Sequence, residues 1–293
     1  MPAPWSRPRG GALALAVAAL AAAGLITAPA LAGEPAGDKS RYTLFNPTPR
    51  ELMREMSTDR PDVTESPNTV DAGHVQVELS FGDYVRDEEA GVKSETSTVL
   101  PFNVKLGLTN NVDFQLVVDP YVRQVVRSDA GKETADGFGD TQLRLKVNLW
   151  GNDGGDTVLA VMPYVQFPTA GDDLGTDHVQ GGVIVPFSAE LPAEFNLGLM
   201  AEVDFVRDET DDGYGIEFLH TVNINRNIVG DLGGYVEYIG IAPIDTGGGY
   251  LALLGAGLTY GVSDDVQLDF GMNFGLSDHA DDFNVFAGMS FRL

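Results

Sequence analysis

Apolar and polar residues alternate with a period of two through most of the chain after Gly73. Val75–Phe81 and Leu143–Leu149 are clear stretches of this kind, and the last one runs from Phe283 to Leu293. A period of two places successive side chains on opposite faces of a β-strand, whereas a helix needs a period near ~3.6. We predict about twelve such strands, each close to the ~9–11 residues that cross a bilayer with tilt. Residues 73–293 are therefore predicted to form an all-β domain.

Two all-β architectures share this alternation. A soluble sandwich buries the apolar faces in a dry core, whereas a membrane barrel presents them to lipid and turns the polar faces inward. The exported chain ends on an alternating strand, and many predicted inward positions are glycine. Aromatic residues stand toward the strand ends, where interfacial girdles form: Tyr84, Tyr121, Trp150, Tyr164, Tyr214, Tyr238 and Tyr260. These features favour a transmembrane antiparallel up-and-down β-barrel over the sandwich.

Residues 1–32 are predicted to be a signal peptide. Arg7 and Arg9 precede an uncharged, Ala- and Leu-rich stretch that ends in Ala30-Leu31-Ala32, a pattern typical of a cleavage site. A transmembrane anchor is the alternative, but the stretch from Gly11 to Ile26 is short of the ~20 residues that a span needs. Export of a barrel predicts the bacterial outer membrane as its location.

The net charge excludes one class of partner. The formal charge is −25, and it becomes −27 when Arg7 and Arg9 leave with the signal peptide. A chain this acidic repels phosphate backbones, so nucleic-acid binding is excluded. The expected partners are outer-membrane lipid, lipopolysaccharide and a small-molecule solute.

Residues 33–72 are predicted to be a periplasmic or intraluminal leader, rich in proline. Thr48, Pro49 and Glu51 have the spacing of a capped helix start, so we expect a short helix there. After Thr58 the leader is extended and charged. Its Arg60, Asp62 and Glu65 are predicted to lie in or under the barrel and to pair with charges of the wall.

The polar faces of the predicted strands carry full charges, which a barrel turns into its lumen. Acids outnumber bases among them, so an open pore would favour cations. The alternative is that these charges pair across a filled barrel with no pathway. Twelve strands lie between the ~8 that pack solid and the 16–18 that leave a channel, so we expect a narrow or gated passage. The predicted lumen residues are Glu78, Lys105, Asp113, Asp119, Arg144, Lys146, Glu202, Asp204, Glu217, Glu237, Asp269 and Arg292.

The predicted outer connections are rich in acidic residues. If both chain ends of the barrel are periplasmic, the long connections face outward. Exposed acids either keep the loops soluble or bind Ca²⁺ or Mg²⁺, which would bridge them to lipopolysaccharide phosphates. The predicted outer loops are 86–93, 127–137, 168–178, 207–213, 241–249 and 277–282.

The sequence predicts no enzyme. Cys is absent, and His74, His178, His220 and His279 have no metal-ligand spacing. His178 and His279 fall in acidic loops, where a barrel protease would carry its catalytic histidine and carboxylates. The favoured interpretation is that both are hydrated loop residues without a catalytic role. A lipase-like role for His220 would need a serine beside it, and the strand around His220 contains none. We therefore expect no catalytic residue, metal site or cofactor.

Several short motifs, in order along the chain, resemble an outer-membrane β-barrel family known as "putative MetA-pathway of phenol degradation". The resemblance spans roughly residues 42–293, although the chain ends in Leu293 where such barrels usually end in an aromatic residue. The motifs are Thr58-Asp59-Arg60-Pro61-Asp62, Thr64-Glu65-Ser66-Pro67, Gly73-His74-x-Gln76-x-Glu78, Gly137-Phe138-Gly139-Asp140, Leu143-Arg144-Leu145-Lys146, Pro163, Pro168-Thr169, Leu268-Asp269-x-Gly271, Gly275-Leu276 and Ala287-Gly288-x-Ser290-x-Arg292.

The resemblance implies an outer-membrane transporter without established catalytic residues. Together with the charged lumen it predicts passive or facilitated passage of small solutes, including aromatic or hydrophobic ones. The alternative is a structural barrel whose acidic loops bind divalent cations, lipopolysaccharide or a partner.

Overall fold

The computed structural model describes residues 38–171, 174–207, 213–244, 246 and 248–293. The predicted signal peptide and several predicted loop acids lie outside these residues. The described chain forms one antiparallel sheet of fifteen strands. These are β1 Val75–Glu89, β2 Val92–Val99, β3 Phe102–Thr109, β4 Val112–Val118, β5 Tyr121–Ser128, β6 Gly131–Gly137, β7 Thr141–Trp150, β8 Thr157–Phe167, β9 Gln180–Leu191, β10 Phe195–Arg207, β11 Tyr214–Val229, β12 Leu232–Pro243, β13 Leu251–Ser263, β14 Val266–Gly275 and β15 Phe283–Arg292.

The fifteen strands make twelve spans, because three spans are interrupted. Short breaks at Leu100–Pro101, at Asp119–Pro120 and at 138–140 divide β2 from β3, β4 from β5 and β6 from β7. Proline lacks the N–H that a ladder needs, which explains two of the breaks. In each interrupted span, one half stays in the barrel wall, and these halves are β3, β4 and β7. The other halves, β2, β5 and β6, pair as a ribbon that extends from the wall.

The sheet closes on itself, since β1 pairs with β15 from Gln76↔Arg292 to Arg86↔Phe283. A bulge between Ser80 and Gly82 shifts this register by one residue. Such a shift exchanges the two faces of a strand, so Glu78 faces inward below the bulge and Asp83 faces inward above it. The predicted twelve-stranded antiparallel barrel is confirmed.

The outer surface is apolar, as a lipid-facing wall requires. Phe205, Ile224, Val236, Phe270 and their neighbours expose large hydrophobic side chains on it. Most of the predicted girdle aromatics are at least partly exposed, among them Trp150 and Tyr260. Tyr164 was wrongly assigned to the girdle. Its hydroxyl donates to Asp204 at 2.5 Å inside the barrel, because the inward face of β8 is its even-numbered one.

The predicted leader helix is wrong in extent. Arg50–Leu52 form one 3₁₀ turn, and Met53 is already extended. Thr48 makes no side-chain cap and its buried hydroxyl has no partner in the described chain. The backbone N–H of Arg54 instead donates to Asp71, so contacts with the rest of the leader stop the helix after one turn.

The connections at the rim where β1 begins and β15 ends are short. The longest connections, after β8, β12 and β14, lie at the opposite end, together with the connection after β10 and the two-residue turns after β1 and β5. Short turns are periplasmic and long loops extracellular in such barrels, which orients the molecule. The predicted loops 86–93 and 127–137 are wrong in extent, because β1, β2, β5 and β6 continue through most of them. No described helix is both long and apolar enough to span a membrane.

A close approach at Gly107 gives a first prediction. A Cβ at this position would meet the backbone carbonyls of Val70 and Asp71, where the leader crosses β3. We expect Gly107→Ala to destabilise the barrel by about 1–3 kcal/mol, the cost of overpacking. The midpoint of heat unfolding in detergent measures it. Gly171→Ala is the control, since nothing described lies within 4 Å of that Cβ. An unchanged midpoint in Gly107→Ala would contradict this packing.

Candidate functional site in the barrel lumen

The barrel interior is occupied by the chain's own leader. Residues 57–69, which we name the lumen hairpin, rise into the barrel from the periplasmic rim, turn at 61–65 and return toward β1. The wall has few bulky apolar side chains at this level, and most of its buried residues are polar or charged. Buried polar groups need partners, and the hairpin supplies them.

Asp59 is the centre of the largest charge cluster. Its carboxylate forms ion pairs with Lys105, on β3, and with Lys146, on β7, the latter at 2.8 Å. Both ammonium groups are almost fully buried. Lys105 also pairs with Glu78, which in turn accepts the backbone N–H of Asp59 at about 3.1 Å. The cluster therefore joins one side of the hairpin to three strands.

Arg60 attaches the hairpin to strands near the seam where β1 pairs with β15. Its guanidinium donates two hydrogen bonds to Asp269, at 2.6 and 3.2 Å, and a third to Ser80 at 2.6 Å. A planar guanidinium matches a carboxylate in this two-pronged geometry. The contact ties the hairpin to both β14 and β1.

The tip of the hairpin is bound by the carboxylate of Glu237. Glu237 accepts the backbone N–H groups of Val63 and Thr64 at 2.9 and 2.8 Å and also the hydroxyl of Thr64. Beside it, Asn223 donates to Asp62 at 2.8 Å. These bonds hold the turn at β11 and β12.

Glu65 completes the ring of contacts with a 2.5 Å ion pair to Arg144. Three predicted plug residues, Arg60, Asp62 and Glu65, thus all lie against wall groups. The structure places six of the predicted lumen residues in contact with the hairpin, and they are Glu78, Lys105, Arg144, Lys146, Glu237 and Asp269.

The remaining predicted lumen residues lie elsewhere on the inner wall. Asp113 accepts the backbone N–H of Val70 at 3.0 Å, and Asp204 accepts the Tyr164 hydroxyl. Asp119 lines the cavity above the hairpin. Arg292 lies at the periplasmic rim with Asp265, while Glu202 is partly buried beside Asp204. Glu217 lies on β11, where it accepts the Thr246 hydroxyl at 3.4 Å.

A second charge cluster closes the periplasmic rim. Arg54 and Lys39 both pair with Asp153, at 3.0 and 2.8 Å. Burial opposes ionisation of this carboxyl, but the hydrogen bonds from Lys39 and Asn110 and the charges of Arg54 and Lys39 together outweigh it, so the pKa of Asp153 is lowered. Asp71 lies among the same cations. The two ends of the hairpin are therefore fixed beneath the barrel.

A cavity of about 470 Å³ lies above the hairpin, with Val63 of the tip among its lining residues. One side is apolar, formed by Leu219, Ile239, Ile241, Leu251 and Leu253 on β11 to β13. The other side is mixed: it carries Asp83, Asp119, Asp140, Gln142 and Gln166, and it also includes Val85, Pro101, Val117 and Val122. Leu174 and Gly175 reach it from the loop after β8. Its volume lies in the range of small-molecule sites, ~300–1,000 Å³.

Sequence reasoning missed several contributors. Asp59 belongs to one of the family motifs but was not predicted to contact the wall. The inward cations Lys105 and Lys146, on β3 and β7, needed a buried anion, and this was the signal that could have identified it. The apolar cluster of Met162, Ile184, Met200, Leu219 and Ile241 was also missed. Its members occupy inward positions on strands that also carry inward polar residues, such as Tyr164, Thr221 and Glu237, so alternation gave no signal.

The histidines form no site among the described residues. His220 faces the lipid side, stacked on Phe218 with ring centroids 5.4 Å apart, and its Nε2 lies 3.2 Å from the Tyr250 hydroxyl. His279 lies 3.9 Å from Glu89. In the described part of the chain, no group of three or more acidic or histidine side chains could hold a metal ion.

This arrangement is that of an outer-membrane β-barrel with an internal plug. The family described as "Putative MetA-pathway of phenol degradation" matches residues 58–293, which begin at the lumen hairpin and run through the whole barrel. The chain belongs to that family, and the resemblance seen in the motifs is confirmed.

Several solved structures are similar to this chain at low sequence identity, and the first of them shares its fold. The COG4313 outer membrane channel from Pseudomonas putida F1 is 11% identical, with 81% of this chain and 100% of that chain covered at a TM-score of 0.56. The CymD monoaromatic hydrocarbon channel is 8% identical, covering 75% and 87% at 0.42. The Pseudomonas putida toluene transporter TodX is 10% identical, covering 75% and 88% at 0.40. No curated protein matches the sequence.

The Asp59 cluster yields a stability prediction. Asp59→Asn removes the anion shared by two buried lysines, and an uncompensated buried charge costs about 3–5 kcal/mol. We expect the free energy of unfolding in detergent to fall by that order, measured by denaturant titration. Asp129→Asn, at an exposed turn between β5 and β6, serves as the matched control and leaves it unchanged. Equal stabilities of the two variants would contradict the cluster.

The periplasmic rim yields a pH prediction. A hydrogen bond from Arg50 lowers the pKa of Asp265, and Arg292 adds to the effect. A depressed pKa in the folded state gives stabilisation that is present above the unfolded value, about 4, and is lost as the pH falls through the folded value. Asp265→Asn should therefore lower the unfolding temperature at neutral pH, and the difference from wild type should close in acid.

The neighbouring Asp264 provides the control for this series. It is exposed, so Asp264→Asn should follow the wild-type curve at every pH. A deficit of Asp265→Asn that is independent of pH would show that the loss is one of packing and not of charge.

Proposed function

We propose that this protein gives passive, facilitated passage to small solutes, including aromatic or hydrophobic ones, through a narrow lumen that the lumen hairpin restricts. The observation that carries the proposal is the cavity of about 470 Å³ between the hairpin tip and the outer loops. A barrel with a purely structural role has no need of a lumen space of that size. Membership of the family and the fold of an outer membrane channel support the same conclusion.

The hairpin divides the lumen into two parts. Below Val63, wall charges and hairpin charges pair across the lumen. Above it, the cavity reaches the level of the loop that contains Leu174. A solute held there has to pass the hairpin to reach the periplasm. Movement of the hairpin is therefore the controlling step of the proposed passage.

The wall residues take a specific role in this account. Lys105, Lys146, Glu237 and Asp269 hold the hairpin in place rather than line an open pore, and Asp119 belongs to the solute cavity. The pathway needs no covalent step, metal or cofactor. Passage is driven by the solute's own gradient.

Release of the hairpin tests the proposal. Arg60→Ala combined with Asp269→Asn removes both partners of a bidentate pair, so neither charge is left buried alone. We expect the double variant to show a higher single-channel conductance in planar bilayers than wild type, because the hairpin then leaves its wall contact more often.

The control for this measurement is an exposed pair at the outer end of β1. Arg86→Ala with Glu88→Gln removes an ion pair that is about half exposed on both sides, and conductance should not change. If the barrel conducts nothing in wild type and in the released variant alike, the passage proposal fails and a structural barrel is supported.

A further inference from the structure

The two sides of the cavity differ in a way that selects a class of solute. The apolar side lies on β11, β12 and β13. The side that carries the carboxylates and amides, which we call the polar side, lies on β1 and on the spans that contain β4, β7 and β8, where Val85, Val117 and Val122 also line the cavity. In a ring of twelve spans, β12 stands directly across from the span formed by β4 and β5. Ile239 and Ile241 thus face Asp119 across the lumen.

The polar side is also negative. Asp83, Asp119 and Asp140 line the cavity from the wall and Asp281 from a loop, and no Lys, Arg or His is among its described lining residues. Two cations next to the cavity are already paired: Arg60 with Asp269, and Arg144, which also donates to the cavity-lining Gln142, with Glu65. The described lining residues therefore offer no cation of their own to an anionic solute.

The four carboxylates are not equivalent. Asp140 is saturated, because it accepts bonds from the backbone N–H groups of Ala170 and Thr176, from the Thr176 hydroxyl and from Gln166. Asp83 accepts one bond from Asn284 at 2.8 Å. No described residue donates a hydrogen bond to the Asp119 carboxylate. Asp119 stands in the break between β4 and β5, packed against Gly139.

The strand break explains why Asp119 is available to a solute. In an uninterrupted strand, Asp119 would be an ordinary position in the hydrogen-bonded ladder between neighbouring strands. Here the chain turns at Pro120, and the backbone carbonyl of Asp119 accepts the N–H of Gly139 at 2.9 Å. Gly139 has no side chain to cover the carboxylate. The acid is thus presented to the cavity opposite the isoleucines.

From this geometry we propose that the cavity binds small amphipathic amines, with the hydrocarbon part on Ile239, Ile241 and Leu253 and the ammonium group on Asp119, and that it rejects carboxylates of the same size. A charge-assisted hydrogen bond is stronger than a neutral one, so an alcohol of equal shape binds between the two. The inference rests on the proposed function for its biological meaning, since it names the solutes that would be passed.

Equilibrium binding to the full-length, detergent-folded barrel tests it. The probes are 2-phenylethylamine, 2-phenylethanol and phenylacetate, which share a ring and a two-carbon arm and differ in charge. Calorimetric titration should give the affinity order amine, alcohol, carboxylate. The loss of a hydrogen bond to a charged group changes affinity by about tenfold or more, so Asp119→Asn should weaken the amine by that factor and leave the alcohol nearly unchanged.

Two further variants separate the parts of the site. Ile239→Ala should weaken the amine and the alcohol by a similar factor, because it removes apolar contact common to both. Asp136→Asn, an exposed acid of β6 outside the cavity, should change nothing. Unboiled gel mobility verifies that each variant is folded. If phenylacetate binds as tightly as the amine, or Asp119→Asn spares the amine, the proposal is overturned.

Uptake into liposomes that contain the barrel distinguishes this proposal from the proposed function. Amine-selective binding without uptake of any probe would contradict passage and leave the binding site standing. Uptake of all three probes at equal rates, with no selective binding, would leave passage standing and overturn the charge preference. Selective binding together with faster amine uptake supports both.

Discussion

The need to pair charges buried inside the barrel governs this structure. Twelve spans enclose a lumen that wall side chains alone do not fill, and the inner faces of the strands carry full charges there. A buried ion without a partner costs far more than a typical hydrogen bond contributes. The chain meets this requirement with its own leader, whose Asp59 and Arg60 neutralise Lys105, Lys146 and Asp269.

The proposed function links this arrangement to permeability. The contacts that stabilise the lumen hairpin are also the contacts that hold it in the lumen, so the proposal expects a more stable hairpin to give a less permeable barrel. The rim cluster around Arg54 and Asp153 keeps the hairpin attached at its base. In the proposed passage, local release of the tip at Glu237 and Asp269 opens a path while the leader remains bound.

The sequence predicts the barrel well because alternation is a direct consequence of strand geometry. It also predicts Arg60, Asp62 and Glu65 as leader groups that meet the wall. It could not predict which wall charge each one meets, since that depends on how far the hairpin rises. The inward tyrosine Tyr164 and the apolar patch around Met162 were missed because β8 is apolar on both faces and the inner wall mixes apolar and polar residues, which leaves no periodic signal.

Backbone exchange in the hairpin tests the central claim most directly. The amide protons of Asp59, Val63, Thr64 and Val70 each donate to a wall carboxylate inside the barrel. Hydrogen–deuterium exchange of the folded protein in lipid nanodiscs, read on peptides that cover 57–70, reports their protection. We predict exchange far slower than that of an unstructured peptide and comparable to that of the neighbouring strands. Exchange at the unstructured rate would show that the leader lies outside the lumen.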